Sequence, residues 1–183
     1  MAPNYEYLSA SLPTLRMGDP PAFSSEDFLG AMGVMLDVEQ LGVLSETTLV
    51  PVPDPSDPVA KEWNDFETDL RNHLVRARGA RRKTNADNWL RPEGALSSDT
   101  ERLVAEAVEL PTPEDTERRL DEVRWRFLEN MTVGRELDFP RLLAYRVQLL
   151  IAEKWAALDA ERGLARLKEQ GKALVEGLQL VQR

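Results

Sequence analysis

Between Val59 and Ala77, apolar side chains fall at Val59, Trp63, Phe66, Leu70, Leu74 and Ala77, steps of three and four that put them on one face of a helix. The same spacing recurs upstream. Phe28, Leu29, Met32, Met35 and Leu36 form a stripe behind Ser24, which can cap free N–H groups, and Glu26 and Asp27 sit in a first turn where the helix dipole favours negative charge. Gly30 and Gly33 lie inside that stripe, each costing about 1 kcal/mol relative to alanine while permitting close packing. A shorter helical piece carries Val38, Leu41 and Leu44. Nearer the N-terminus, Tyr5, Leu8 and Leu12 have near-helical spacing, although Tyr5, Tyr7, Ser9 and Ser11 alternate as in a strand. A short helix ended by Pro13 is the favoured reading, with Pro20 and Pro21 forcing an extended linker behind it.

Pro51, Pro53, Pro55 and Pro58 make residues 45–58 an extended loop, and the TTLV stretch within it reads at most as an edge strand without an evident partner. The strong helical pattern spans 59–78, Gly79 ends it or frays it toward 83, and the polar connection that follows through 97 is anchored to the body by Trp89 and Leu90. Ser97 or Ser98 caps a short helix carrying Leu103, Val104, Ala107 and Val108, and Pro111 stops it. Thr112, Pro113, Glu114 and Asp115 open the next helix, whose seam is Leu120, Val123, Phe127 and Met131, widened by Leu128 and the stem of Arg124. Gly134 closes it. Asp138 and Pro140 then start a helix to Arg162 with Leu142, Leu143, Val147, Leu150, Ile151, Lys154 and Leu158 on one broad face. Gly163 marks a kink before a last stretch with Leu164, Leu167, Leu174, Leu178 and Val181. The short turn at Gly134 makes the two long C-terminal helices an antiparallel hairpin. No βαβ alternation occurs. The predicted fold is all-α, a bundle of about five to seven helices. It forms a single domain over 1–183: N-terminal helices at 1–44, a Pro-rich loop at 45–58, the 59–83 helix, a loop at 84–97, and C-terminal helices at 98–183.

Charge narrows the function classes. Among 183 residues, 23 are Lys or Arg and 32 Asp or Glu, a net charge of −9. That balance argues against general nucleic-acid binding and against adhesion to anionic lipid, both of which depend on neutralising phosphate. Cysteine is absent, excluding disulfides and thiolate chemistry. The most apolar segment, LLAYRVQLLIAEKWAAL, is broken by Arg146, Glu153 and Lys154 and is a poor membrane span. The start, MAPNYEYLSASLP, has no basic residue and no apolar run, so a cytoplasmic protein is expected.

Catalytic patterns are missing where they would be looked for. GAMG lacks the lysine of a phosphate loop and sits inside a predicted helix. His73, the single histidine, shares a helix face with Asp69, which reads as a surface histidine beside an acid. No G-x-S-x-G accompanies it, and no Glu-x-x-His pair suggests a metal bundle. Neither catalytic residues, cofactor nor metal is therefore expected. Trp63, Trp125 and Trp155 lie on periodic helices and read as packing residues. The exception to the acidic chain is Arg71 to Arg91, with seven basic residues and one acid, Asp87. A solvated loop explains this run, as does a docking surface for an acidic partner protein steered by charge; RNA binding is a weaker third reading. The candidate partner-binding residues are Arg76, Arg78, Arg81, Arg82 and Lys83.

Two segments carry a resemblance. The opening, through Tyr5, Tyr7, Ala10, Leu12, Pro13, Ser24, Phe28 and Leu29, and the helix holding Asp138, Phe139, Leu143, Ala144, Tyr145, Arg146, Glu153, Trp155 and Asp159, together resemble an uncharacterised bacterial family encoded alongside V-type (V/A-type) ATPase subunits. Both segments are also distantly similar to the V-type ATPase C subunit, an all-helical protein coupling the central stalk to the membrane ring. The chain is too short to fill that subunit's three-lobed funnel. What the resemblance implies is a non-enzymatic accessory or assembly protein of a V-type rotary ATPase, peripheral to the membrane through its partner complex. The alternatives are a free-standing helical interaction module, or an enzyme whose site forms by tertiary contact around Glu153, Arg146 and Tyr145.

Overall fold

The computed structural model describes residues 4–92 and 98–158. Among them seven α-helices follow one another: α1 (Tyr5–Ser11), α2 (Ser25–Met32), α3 (Val38–Glu46), α4 (Pro58–Arg82), α5 (Ser98–Val108), α6 (Pro113–Met131) and α7 (Phe139–Ala157), with a single 3₁₀ turn at Asp87–Trp89. The described residues contain no strand, and the fold is all-α. The TTLV stretch is irregular chain, as its lack of a partner requires.

Local chemistry sets most helix starts. Asn4, Ser24, Asp37, Asp57 and Thr112 each accept a backbone N–H of the first turn, satisfying donors the helix cannot. Ser24 and Asp27 form a reciprocal capping box. Asp138 precedes α7 as expected but makes no side-chain capping bond; Pro140 in that first turn supplies the fixed φ instead.

Packing follows from where the apolar residues lie. Of the 19 residues of α7, 12 are buried and they surround the helix, so α7 is the axis of the molecule. It touches α1, α2, α3, α4 and α6. The main core includes Leu8, Phe28, Leu44, Trp63, Leu128 and Tyr145. A second cluster of Leu70, Leu74, Val104, Ala107, Val108, Leu120 and Val123 joins α4, α5 and α6, and Phe66 packs against both. α6 and α7 form the antiparallel hairpin: Lys154 and Trp155 near the end of α7 bond Glu117 and Asp121 in the first half of α6. Gly134, at φ 74°, lies in the turn between them.

Several elements differ from expectation. α4 runs through Gly79 to Arg82 and ends on Lys83 in the left-handed region. Gly79 is buried there, and a Cβ on it would lie 2.8 Å from Cβ of Ala86. This glycine lets the 84–86 segment fold against the helix rather than ending it. α2 stops at Met32 with Gly33 as its cap, which leaves Met35 exposed, and Gly30 faces open space rather than a close neighbour. Val38 is exposed while Leu44 is buried. Trp89 does not anchor its loop, being 77% exposed. Asn72 does so, accepting the Arg91 N–H at 2.9 Å and donating to the Arg91 carbonyl at 3.1 Å. α7 ends at Ala157, and Leu158, placed on its broad face from the sequence, is exposed. The proposed cap Ser97, Asp159, the continuation to Arg162, the Gly163 kink and the stretch from Leu164 to Val181 lie outside the described residues.

Candidate functional site

Arg124 of α6 is buried, and all its charge is met inside the bundle. Its Nε and Nη2 donate to the two oxygens of Glu67 at 2.8 and 2.9 Å, and its Nη1 donates to Asp121 at 2.7 Å. Glu67 also accepts from Nε of Arg71 at 2.7 Å. Asp121 accepts the indole N–H of Trp155 at 2.8 Å and pairs with Lys154, which reaches on to Glu117 at 2.8 Å. Three acids and three bases thus form one chain of bonds tying α4, α6 and α7. Burial alone would ease the proton off Arg124, but Glu67 and then Asp121 hold it more firmly than in water. This network uses charge for structure, and it was missed as a network in the sequence. Its signal was present: Glu67 and Arg124 both fall inside apolar stripes, where a charged side chain has to find a partner.

The basic segment is the end of a helix rather than a loop. Arg76, Arg78, Arg81 and Arg82 lie in the last two turns of α4 and Lys83 is its cap, where cations complement the helix dipole. The five are not equivalent. Arg76 is half-buried and engaged, and Arg81 donates to the Val108 carbonyl at 2.5 Å. Arg78 is exposed within electrostatic reach of Glu117. Arg82 and Lys83 are exposed with no ion-pair partner among the described residues. Arg78 and Arg81 line a cleft of about 260 Å³ against the α5–α6 turn, together with Leu110, Thr112 and Glu117.

A larger cleft of about 620 Å³ lies between α4, α5 and α6. Phe66 and Phe127 contribute to it, stacked at 3.8 Å and 5°. Asp65 and Asp69 of α4 and Arg119 and Arg126 of α6 also line it, so its polar lining carries both signs. His73 is not on the surface as predicted: its Nε2 lies 3.1 Å from Oδ1 of Asp69 and both residues are buried.

The three α7 residues considered for a tertiary site line neither cleft. Tyr145 packs on Phe28 and Phe23 with ring centroids 5.4 and 6.2 Å away. Glu153 accepts the Ser25 N–H at 2.6 Å, at the start of α2. Arg146 is buried, and desolvation lowers its pKa against the pull of Glu153. Among the described residues no three acidic, histidine or cysteine side chains converge on a possible metal position, and no helix is long and apolar enough to cross a membrane.

Neither a curated protein nor a solved structure matches this chain. A family match covers residues 82–178, from the basic end of α4 through α5, α6 and α7, which includes Arg124, Asp121, Lys154 and Trp155 but not Glu67. Spanning more than half of the sequence, that match assigns the chain to its family, and the protein belongs to the family described as protein of unknown function (DUF2764).

Proposed function

We propose that this protein is a non-enzymatic accessory protein that works by protein–protein contact, docking the basic end of α4 onto an acidic surface of its partner. The sequence resemblance makes subunits of a V-type rotary ATPase the partners to test first. The observation that supports this reading is a contrast in how charge is used. Arg124 and Lys154 are consumed by internal acids, whereas Arg82, Lys83 and Arg78 stand exposed at one helix terminus of a chain with net charge −9. Such an island attracts an acidic partner from a distance and orients it, with an effect on association rate that salt weakens.

The test is a gentle pull-down from native membranes with the intact protein, alongside a variant carrying Arg78→Glu, Arg82→Glu and Lys83→Glu. Arg81 is left alone because its bond to Val108 is structural. Recovery of ATPase subunits by the natural sequence, reduced by the variant and by added salt, is the expected result. A pull-down containing no ATPase subunit removes the partner, and equal recovery by the variant removes the basic end as the contact.

A further inference from the structure

The opposite end of the bundle carries the reverse chemistry. Tyr5 gathers three segments there. Its ring meets Phe139 edge-on with centroids 6.5 Å apart, its hydroxyl accepts a hydrogen bond from Gln40, and burial followed by the charges of Asp37 and Asp138 pushes its phenol up. The turn between α2 and α3 and the turn between α6 and α7 therefore lie side by side around Tyr5. Glu62 near the start of α4 joins them by pairing with Arg135 at 3.2 Å.

Both turns point apolar side chains at solvent. Val34 and Val38 of the first are 85% and 88% exposed, and Val133 and Leu137 of the second are 72% and 51% exposed. Single exposed apolar residues need no explanation, but four on adjoining turns at one end do. Exposed carboxylates flank them. Asp37 and Glu39 flank Val38, and Glu136 and Asp138 flank Leu137, all four exposed. The two bases in and just after the second turn are engaged, Arg135 with Glu62 and the Met131 carbonyl, and Arg141 over the ring of Tyr145.

We propose that this end is a second docking surface, for a partner segment that sets apolar side chains between basic ones, as a basic amphipathic helix does. The exposed valines and leucine would be covered by its apolar face, and the surrounding carboxylates would pair with its Lys or Arg residues at the rim. An acidic rim opposes anionic lipid. The surface is separate from the end of α4, and its test can fail or succeed independently of the contact made there.

The probe is a labelled peptide with Leu at helical spacing and Lys elsewhere, titrated with the full-length protein and followed by fluorescence anisotropy. Controls keep the Leu pattern but replace Lys with Glu, or keep Lys and replace Leu with Ser. Only the Leu/Lys peptide is expected to bind. Val34→Ser with Val38→Ser and Leu137→Ser, all at exposed sites, should weaken it by about tenfold or more. Glu39→Gln with Glu136→Gln should weaken it by several-fold and flatten its salt dependence. The Arg78, Arg82 and Lys83 charge reversal should leave it unchanged. Equal binding of the Glu peptide, or indifference to both sets of variants, overturns the proposal. So does concentration-dependent self-association of the protein abolished by the three serine substitutions, which would give the surface to a second copy.

Discussion

Arg124 and Glu67 are 57 residues apart in sequence and form a two-pronged pair, Nε to Oε2 at 2.8 Å and Nη2 to Oε1 at 2.9 Å, with both side chains out of solvent. Such a pair contributes little over a well-packed apolar substitute, because removing two ions from water costs nearly what their attraction returns. Breaking it is another matter. Glu67→Gln should destabilise the fold by about 3–5 kcal/mol, since the buried guanidinium loses its two-pronged partner and keeps Asp121 and, at 3.5 Å, Glu117. Arg124→Leu alone should cost a similar amount, because buried Glu67 then keeps only the partly exposed Arg71 as a counter-charge. The double variant Glu67→Leu with Arg124→Leu should cost clearly less than the sum of the two, because neither charge is left behind. Urea unfolding of the four proteins measures this cycle. Strict additivity would mean that the two groups do not act as a pair.

Two glycines in helices are expected to respond to alanine with opposite signs. Gly30 in α2 has nothing within 4 Å of a Cβ, so Gly30→Ala should stabilise by about 0.5–1 kcal/mol through helix propensity and a less mobile unfolded chain. Gly79 gains the same propensity, but its Cβ would lie 2.8 Å from Ala86 Cβ and 3.2 Å from the Thr84 carbonyl oxygen. The Thr84 N–H is bonded to the Gly79 carbonyl at 3.0 Å, so the segment is held in place where it would have to yield. Gly79→Ala should therefore destabilise by about 1–3 kcal/mol. Thermal unfolding of the two variants against the natural sequence checks the pair. A stabilising Gly79→Ala would show that the 84–86 segment moves away at little cost.

The same two elements show what a sequence reveals and what it does not. The periodicity of α4 from Val59 to Ala77 is complete enough to place the helix, and Glu67, three residues before Leu70, falls inside the stripe. That position announces a buried acid. Its partner is not announced, because the meeting of Glu67 and Arg124 depends on how α4 and α6 lie against each other, which no local pattern encodes. Gly79 misleads for a related reason: a glycine at the end of a pattern usually stops a helix, and here a tertiary approach demands it. The basic run from Arg76 to Lys83 reads as loop or helix end according to where α4 stops, a boundary set by Lys83 taking the left-handed conformation. His73 and Trp89 are exchanged between surface and interior relative to expectation. α5 packs against α4 where Leu70 and Leu74 meet Val104 and Ala107, while the Asn72–Arg91 bonds fasten the loop beside Trp89 without using its ring. The acid-rimmed apolar end is split between residues 34–39 and 133–138 in the sequence, and tertiary contacts such as those of Tyr5 bring the halves together.

Acid should weaken the fold through carboxylates that are better held in the native state than in the unfolded chain. At Glu117, burial works against ionisation, but the hydrogen bond and charge of Lys154, with Arg124 and Arg78 behind it, prevail and hold its carboxyl below its ordinary 4.5. Hydrogen bonds from Ser24 lower Asp27, and the Gly134 N–H lowers Glu136. For a group whose native pKa is depressed, the native state releases its proton more readily than the unfolded one. The stabilisation is thus complete above the unfolded value and is lost as pH falls through the lower native value. Stability should be level with respect to Glu117 above about pH 5.5 and should fall below about 4.5, where Asp27 and Glu136 add to the slope. Relief of repulsion in a chain of net charge −9 acts in the opposite direction, so the slope must be read by difference. Glu117→Gln should be less stable than the natural sequence at neutral pH, and its deficit should shrink as pH falls toward 3. Thermal midpoints of both proteins across that range make the comparison. A deficit that stays constant with pH would mean that Glu117 stabilises the α6–α7 contact by its shape rather than by its charge.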